Sequence, residues 1–398
     1  MVSALNVERG FFPLDEELKL LPGELTPQGH ERLVRLAGWI PFEKAAELYE
    51  EFTGILVSPI VSRNYTEQAG AVYEQLQNEE VEYLEQKMPA ATAGAEKMQI
   101  SADGAMVPLL HGVWAEVRTL VVGEVQVRGE EVHTDKLSYF SRKVSAQEFQ
   151  RLALVEIQRR GIENAGQVAA VMDGADWEQG FTDYHCPQAL RILDFPHAAE
   201  HVGAIGAYLY GEHTPDSQVW LKERLHRLKH EGPQKLLLEL GRLQKKYPQA
   251  QPIATHLNYL KKRKQQMQYP QFQAQGWPIG SGIVESGNKL VVETRLKGSG
   301  MHWAEENVNL MLAVRNVLCS GRWREDWPKI EAALRNRERQ RRAHLHQKRK
   351  KTPVPVIQII PAPITRDVVP DQPKKPRPNP WRNFKHGKAL FQRSPPKL

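Results

Sequence analysis

The sequence predicts an α/β protein: a mixed sheet with helices on both faces, interrupted late by an all-helical insertion and preceded by a helical segment. Three observations carry that expectation. Between residues 97 and 212 the apolar pattern alternates between a period of ~2 residues and one of ~3.6, in the order β-β-β-α-β-α-β-α. Residues 213–276 are charged and helical in period, with no strand pattern. Ahead of both, Thr26-Pro27 and Ser58-Pro59 place a capping hydroxyl before a proline, which is how helices commonly begin.

In the N-terminal segment, residues 1–92, helices run through "ELTPQGHERLVRLAG", "PFEKAAELYEEFTG" and "PIVSRNYTEQAGAVYEQLQ". The last two, joined by a short turn that holds Ser58, have the outline of a helix-turn-helix. Its second helix would offer Ser62, Arg63, Asn64 and Thr66 to a DNA groove. Helix pairs of this kind also serve purely as packing units.

Residues 97–212 open with "KMQISADGAMVPLL", "WAEVRTLVVGEVQVRG" and "EEVHTDKLSYFSRK", three β-branched, turn-punctuated runs that read as successive antiparallel strands. The helix "SAQEFQRLALVEIQRRG" is capped by Ser145. A short apolar strand, "QVAAVMDGA", then ends in Asp173, and another, "ALRILDF", ends in Asp194 before the helix "PHAAEHVGAIGAYLYG". This element order is that of a ribonuclease H-like fold. After the insertion, residues 277–334 complete the core with "GWPIGSGIVESGNKLVVETRLKGSGMHW" and the helix "AEENVNLMLAVRNVLCSGRW". The remainder, residues 335–398, is basic and from Thr352 rich in proline, so it is expected to be disordered.

Composition narrows the class. Two cysteines, Cys186 and Cys319, stand 133 positions apart without a CxxC, so neither a disulfide framework nor a thiolate zinc site is indicated. No apolar run approaches the ~20 residues of a membrane span, and the start lacks a basic segment followed by an apolar one, so a cytoplasmic protein without a membrane partner is expected. The net charge of +7 is unevenly spread: residues 335–398 hold 18 Lys/Arg against 3 Asp/Glu, leaving the rest of the chain at −8. A basic tail on an acidic body suits a polyanion such as DNA, although a solvated tail has the same composition.

Three acids fit metal-dependent phosphoryl transfer. That chemistry needs carboxylates from separate elements gathered on two hard divalent cations, Mg²⁺ or Mn²⁺. Asp103 lies on the first strand, Asp173 at the end of the fourth, and Glu285 at the start of the helix after the insertion. Each has a plain alternative: Asp103-Gly104 and Asp173-Gly174 are turn dipeptides, and Glu285 complements a helix dipole. Asp194 could cap the helix that follows or take the place of Asp173, since both end apolar strands. Asn288 and Lys289 share the helical face of Glu285; Lys289, Arg295 and Lys297 are candidate phosphate contacts. Trp277 and Trp303 could stack on frayed bases or pack in the core. His197 and His201 have the i, i+4 spacing of zinc ligands, but residue 198 is Ala where a HExxH motif needs Glu.

The stretches "RGFFPLDEELKLLPGELTP", "PFEKAAELYEEFTG", "DGAMVPLL", "MDGADW", "LDFPHAAEHV" and "IGSGIVESGNKLVVETRLKGSGMHW" together resemble DDE transposases of bacterial insertion sequences, in particular the ISKra-type group. The likeness runs from about residue 9 to about residue 327, and its most specific part is the last stretch. It implies a ribonuclease H-like core, Asp103, Asp173 and Glu285 as catalytic, metal-binding acids, and Asp194 and His197 as an accessory Asp-x-x-His element. It further implies two Mg²⁺ or Mn²⁺ ions, double-stranded DNA bearing terminal inverted repeats, target DNA, a homodimer or higher oligomer on that DNA, and a nucleoid-associated location. In that group a segment with paired cysteines often precedes the equivalent of "RGFFPLDEEL", where this sequence has "MVSALNVE". The competing expectations are a non-catalytic, truncated or repurposed DNA-binding remnant and a structure-selective nuclease on the same fold.

Overall fold

The computed structural model describes residues 21, 25–129 and 131–351, with side chains to residue 344. The "RGFFPLDEELKL" stretch and the tail from residue 352, expected to be disordered, lie outside the described residues.

Helices α1 (Pro27–Trp39), α2 (Phe42–Thr53) and α3 (Pro59–Lys87) open the chain. Strands β1 (Lys97–Pro108), β2 (Trp114–Arg128) and β3 (Glu131–Arg142) follow, then α4 (Ala146–Leu152), α5 (Leu154–Arg159), β4 (Gln167–Met172), α6 (Asp176–His185), β5 (Leu190–Leu193) and α7 (Phe195–Tyr210). The segment expected as an insertion holds α8 (Pro215–Glu231), α9 (Pro233–Lys246), α10 (Gln251–Lys262) and α11 (Tyr269–Ala274). The chain then forms α12 (Gly282–Gly287), which continues through a π-helical stretch, Asn288–Glu293, into α13 (Thr294–Leu296), and closes with α14 (Glu305–Cys319) and α15 (Trp323–Lys351). Thr26, Ser58 and Ser145 each accept an N–H three residues on, at 3.1, 3.2 and 3.2 Å, so the caps read from sequence are formed.

The architecture is mixed α/β. One five-stranded sheet runs in the order β3-β2-β1-β4-β5. The hairpin-linked strands pair antiparallel, whereas β4 and β5 join β1 in parallel through helical crossovers. Central β1 is buried along most of its length, and alternate residues serve opposite faces. Met98, Ile100, Ala102, Ala170 and Met172 face a core shared with α4, α5 and α6. On the other face, Ala169, Val171 and Ile192 pack with α7 and the insertion, and Ala105, Val107 and Val117 pack with α12, the π stretch and α14. The insertion thus buries its apolar side against the sheet itself.

Helices α1–α3 have no core of their own. Leu33, Val34, Tyr49, Tyr65 and Val72 pack with Ala313, Val317, Trp323 and Trp327 of α14 and α15. A Cβ on Gly70 of α3 would fall on the Leu310 carbonyl of α14, so that crossing tolerates only glycine. Buried polar pairs add to this: Tyr73 of α3 donates to Asp326 of α15 at 2.7 Å, and Arg322, just before α15, makes a two-pronged pair with Glu156 of α5 at 2.9 and 2.7 Å. Among the described residues, no helix is long and apolar enough to cross a membrane.

Candidate metal centre

Strand register brings the aspartates together. The β1–β4 ladder runs from Lys97–Gln167 to Ile100–Ala170, and the β4–β5 ladder from Ala169–Leu190 to Met172–Leu193. Extending each ladder in the same register sets Asp103 beside Asp173, and Asp173 beside Asp194. Apolar residues up to Met172 and Leu193 bury the strands, and the chain turns polar where they leave the sheet. By alternation, Asp103 and Asp173 belong to the face covered by α7, the insertion and α12.

Among the described residues, one group of three acids has carboxylate oxygens within 4.8 Å of one another: Asp103, Asp173 and Glu178. Such a group could hold a metal ion. Asp103 Oδ1 accepts from its neighbour Gly104 N–H at 2.7 Å, and Oδ2 accepts from Asn288 Nδ2 at 2.9 Å. Asp173 Oδ1 accepts from Ala175 N–H at 2.7 Å, which closes the turn into α6. Glu178, in the first turn of that helix, is fully buried; its Oε2 accepts from Gly174 N–H at 3.0 Å.

Three acids this close cannot all stay ionised without a counter-charge. Burial lifts the Asp103 carboxyl above its ordinary range and the Asp173 charge adds to this, against hydrogen bonds from Gly104 and Asn288. Burial also pushes Glu178 up to about 10, helped by a hydrogen bond that its protonated carboxyl donates to Asp173 and by the repulsion of the Asp173 charge. Without that proton, Glu178 Oε1 is buried with no hydrogen-bond partner among the described residues. With carboxylates around it, a proton or a cation would satisfy this oxygen. An all-oxygen donor set is what hard divalent ions take.

Asp194 stands at the same level of the sheet but outside the group. One of its oxygens accepts from His197 N–H at 3.0 Å, capping α7, and the other accepts from Ser281 N–H at 2.6 Å, pinning the Gly-Ser-Gly turn. It is buried, and it serves as a double backbone acceptor. His197, on the first turn of α7, is half-buried; its Nδ1 is 3.6 Å from Glu200. His201 contacts His256, Nδ1 to Nδ1 at 2.9 Å, and burial lowers it to about 4.

Glu285 is not a member of the acidic group. Its side chain is exposed on α12, one turn ahead of Asn288, which reaches Asp103. The third carboxylate is Glu178, and only its position in a first helical turn directly after a strand-end aspartate could have singled it out in the sequence.

The DNA-contact candidates divide by burial. Arg63, Asn64, Lys289 and Lys297 are exposed, and Lys297 pairs with Glu293 at 3.0 Å. Ser62 is buried, so α3 does not present it to a groove. Arg295 is a correction of the same kind: it is buried, donates to Ala37 O at 2.9 Å, and lies over the rings of Phe42 and Trp303. Burial lowers its pKa to about 10, and it serves to join α13 to α1. Trp277 and Trp303 are both buried, in the cores beneath the insertion and beneath α12.

No protein-family model matches the chain, and no curated protein matches it in sequence.

Proposed function

We propose that the protein is a DDE transposase with a ribonuclease H-like core, which hydrolyses phosphodiester bonds at insertion-sequence ends and uses the freed 3′-hydroxyl to attack target DNA. The observation that carries the reading is the convergence of Asp103 and Asp173, 70 positions apart, on one cluster of carboxylate oxygens at adjacent parallel strands. The sheet order, with antiparallel β1–β3 extended by parallel β4 and β5, supports the fold assignment.

In this reading Asp103 and Asp173 hold Mg²⁺ or Mn²⁺, two ions in the active complex, and Glu285 joins from the exposed side of α12. Bound divalent ions activate the attacking oxygen and stabilise the leaving one. Asn288 orients Asp103 through its amide. Glu178 keeps a proton while the acids are uncompensated and gives it up when a cation arrives. Lys289, exposed one position after Asn288, is placed to meet a backbone phosphate, with Arg63, Asn64 and Lys297 as further contacts. The partners are double-stranded DNA carrying terminal inverted repeats, target DNA, and further copies of the chain. The second reading, a non-catalytic DNA-binding remnant, draws on one observation: Glu285 lies outside the acidic group.

The test is cleavage of oligonucleotides carrying the inverted repeats that flank the gene. Wild-type protein nicks them with Mg²⁺ or Mn²⁺, and Asp103→Ala and Asp173→Ala bind them without nicking. Binding without nicking by the wild type favours the remnant. Loss of nicking in Glu285→Ala with retention in Glu178→Gln makes Glu285 the third acid, and the reverse pattern makes it Glu178.

A further inference from the structure

We infer that Tyr259 and Arg263, at the end of α10 in the helical insertion, are positioning residues that fix the Asp173–Gly174 turn and through it the metal affinity of Asp173. The inference rests on Asp173 being a metal ligand, as proposed above.

Neither residue touches a carboxylate of the acidic group. Both hold its main chain. Tyr259 Oη donates to the Asp173 carbonyl, and the Arg263 guanidinium donates to the Gly174 carbonyl through Nη2 and through Nε at 3.0 Å. The two side chains brace each other, with the guanidinium 3.8 Å from the Tyr259 ring centroid. The same ring stacks on His201 of α7 at 3.7 Å, nearly parallel at 9°. Arg263 keeps only 11% of its side chain exposed, although its neighbours Lys261, Lys262 and Lys264 are exposed. It is therefore held against the turn and not extended into solvent.

The turn is shaped to receive this pair. Gly174 has φ +87, which disfavours a side chain, and a Cβ there would lie 2.5 Å from Arg263 Nε and 2.9 Å from Tyr259 Oη. On its other groups the turn is tied locally: Ala175 N–H to Asp173 Oδ1, and Gly174 N–H to Glu178 Oε2. The two carbonyls are the free side of the turn, and the insertion takes both. The acid's main chain is thus held from outside the sheet as well as by these local bonds. Groups that hold a metal ligand in place typically change affinity by ~10–100-fold when removed.

The experiment is a Mn²⁺ titration of the full chain, following the electron paramagnetic resonance signal of the free ion, with thermal melting recorded without metal. It compares wild type, Tyr259→Phe, Arg263→Gln, Arg263→Lys and, as reference, Asp173→Asn. Arg263→Gln is expected to weaken Mn²⁺ binding by ~10-fold or more. Arg263→Lys, which keeps one donor and loses the fork, is expected to fall between it and wild type. Tyr259→Phe removes one hydroxyl and keeps the ring; it is expected to weaken binding several-fold with an unchanged melt, which distinguishes positioning from a loss of folding. If Arg263→Gln does not fold, Tyr259→Phe decides alone. Wild-type affinity in both Tyr259→Phe and Arg263→Gln overturns the inference and leaves the metal-site reading standing. Wild-type binding no tighter than that of Asp173→Asn overturns the metal-site reading, and the inference with it.

Discussion

Replacing Glu178 with Gln isolates the charge state of the acidic group. In the folded protein Glu178 is buried and its carboxyl is raised from 4.5 to about 10, with burial the largest cause. In the unfolded chain it ionises near its ordinary value, so between pH 5 and pH 8 folding takes up a proton. A raised folded pKa gives stability that is present at low pH and is lost as pH rises toward that pKa. The loss is ~1.4 kcal/mol per pH unit, or ~4 kcal/mol from pH 5 to pH 8. Gln is neutral throughout and still offers an oxygen to Gly174 N–H, so Glu178→Gln escapes the loss. At roughly 2 °C per kcal/mol for a body of this size, the variant should match wild type at pH 5 and melt on the order of 5–10 °C higher at pH 8 in the absence of metal. Calorimetric melts of both proteins at half-unit pH steps, with and without Mn²⁺, give the comparison. Mn²⁺ should narrow the gap by stabilising wild type more, and titration calorimetry in two buffers of different ionisation heat should show proton release near pH 8. Parallel melting curves from pH 5 to pH 8 would mean that Glu178 is already ionised in the fold, and would refute the reasoning.

Asp194→Ala removes the acceptor of two backbone N–H groups and should cost ~2–4 kcal/mol by urea unfolding while leaving Mn²⁺ affinity within a few-fold of wild type; a loss of metal binding as large as that of Asp173→Asn would instead make Asp194 a ligand. Arg322→Ala removes the two-pronged partner of the buried Glu156 carboxylate, so a loss of ~3–5 kcal/mol is expected by the same measurement. Lys289→Ala should lower DNA affinity and reduce the slope of log K against log salt by about one, whereas Arg295→Ala should lower the melting temperature and leave that slope unchanged; fluorescence anisotropy across a salt series separates the two.

Features set by neighbours in the chain were legible. The short apolar run of Val, Ala and Met at residues 168–172 marks a strand, and Thr26, Ser58 and Ser145 mark helix starts, because a buried strand and a cap are decided within a few residues. The mixed α/β architecture followed from the order of such signals. What depends on distant partners was not legible. Ser62 and Arg295 look like surface residues in their own helices, yet both are buried; Arg295 bonds a carbonyl 258 positions away. For the same reason α1–α3 read as a separate segment, although their apolar faces close on α14 and α15. Glu178 was missed because an acid in a first helical turn is ordinarily a solvated dipole partner. Only the fold sets it against Asp103 and Asp173, where burial changes its chemistry.

The most direct measurement is anomalous diffraction at the manganese edge from crystals of the full-length protein grown with Mn²⁺. The account predicts a peak bonded to oxygens of both Asp103 and Asp173, absent in Asp173→Asn. A manganese peak that avoids these two carboxylates, or no peak at saturating Mn²⁺, would contradict it.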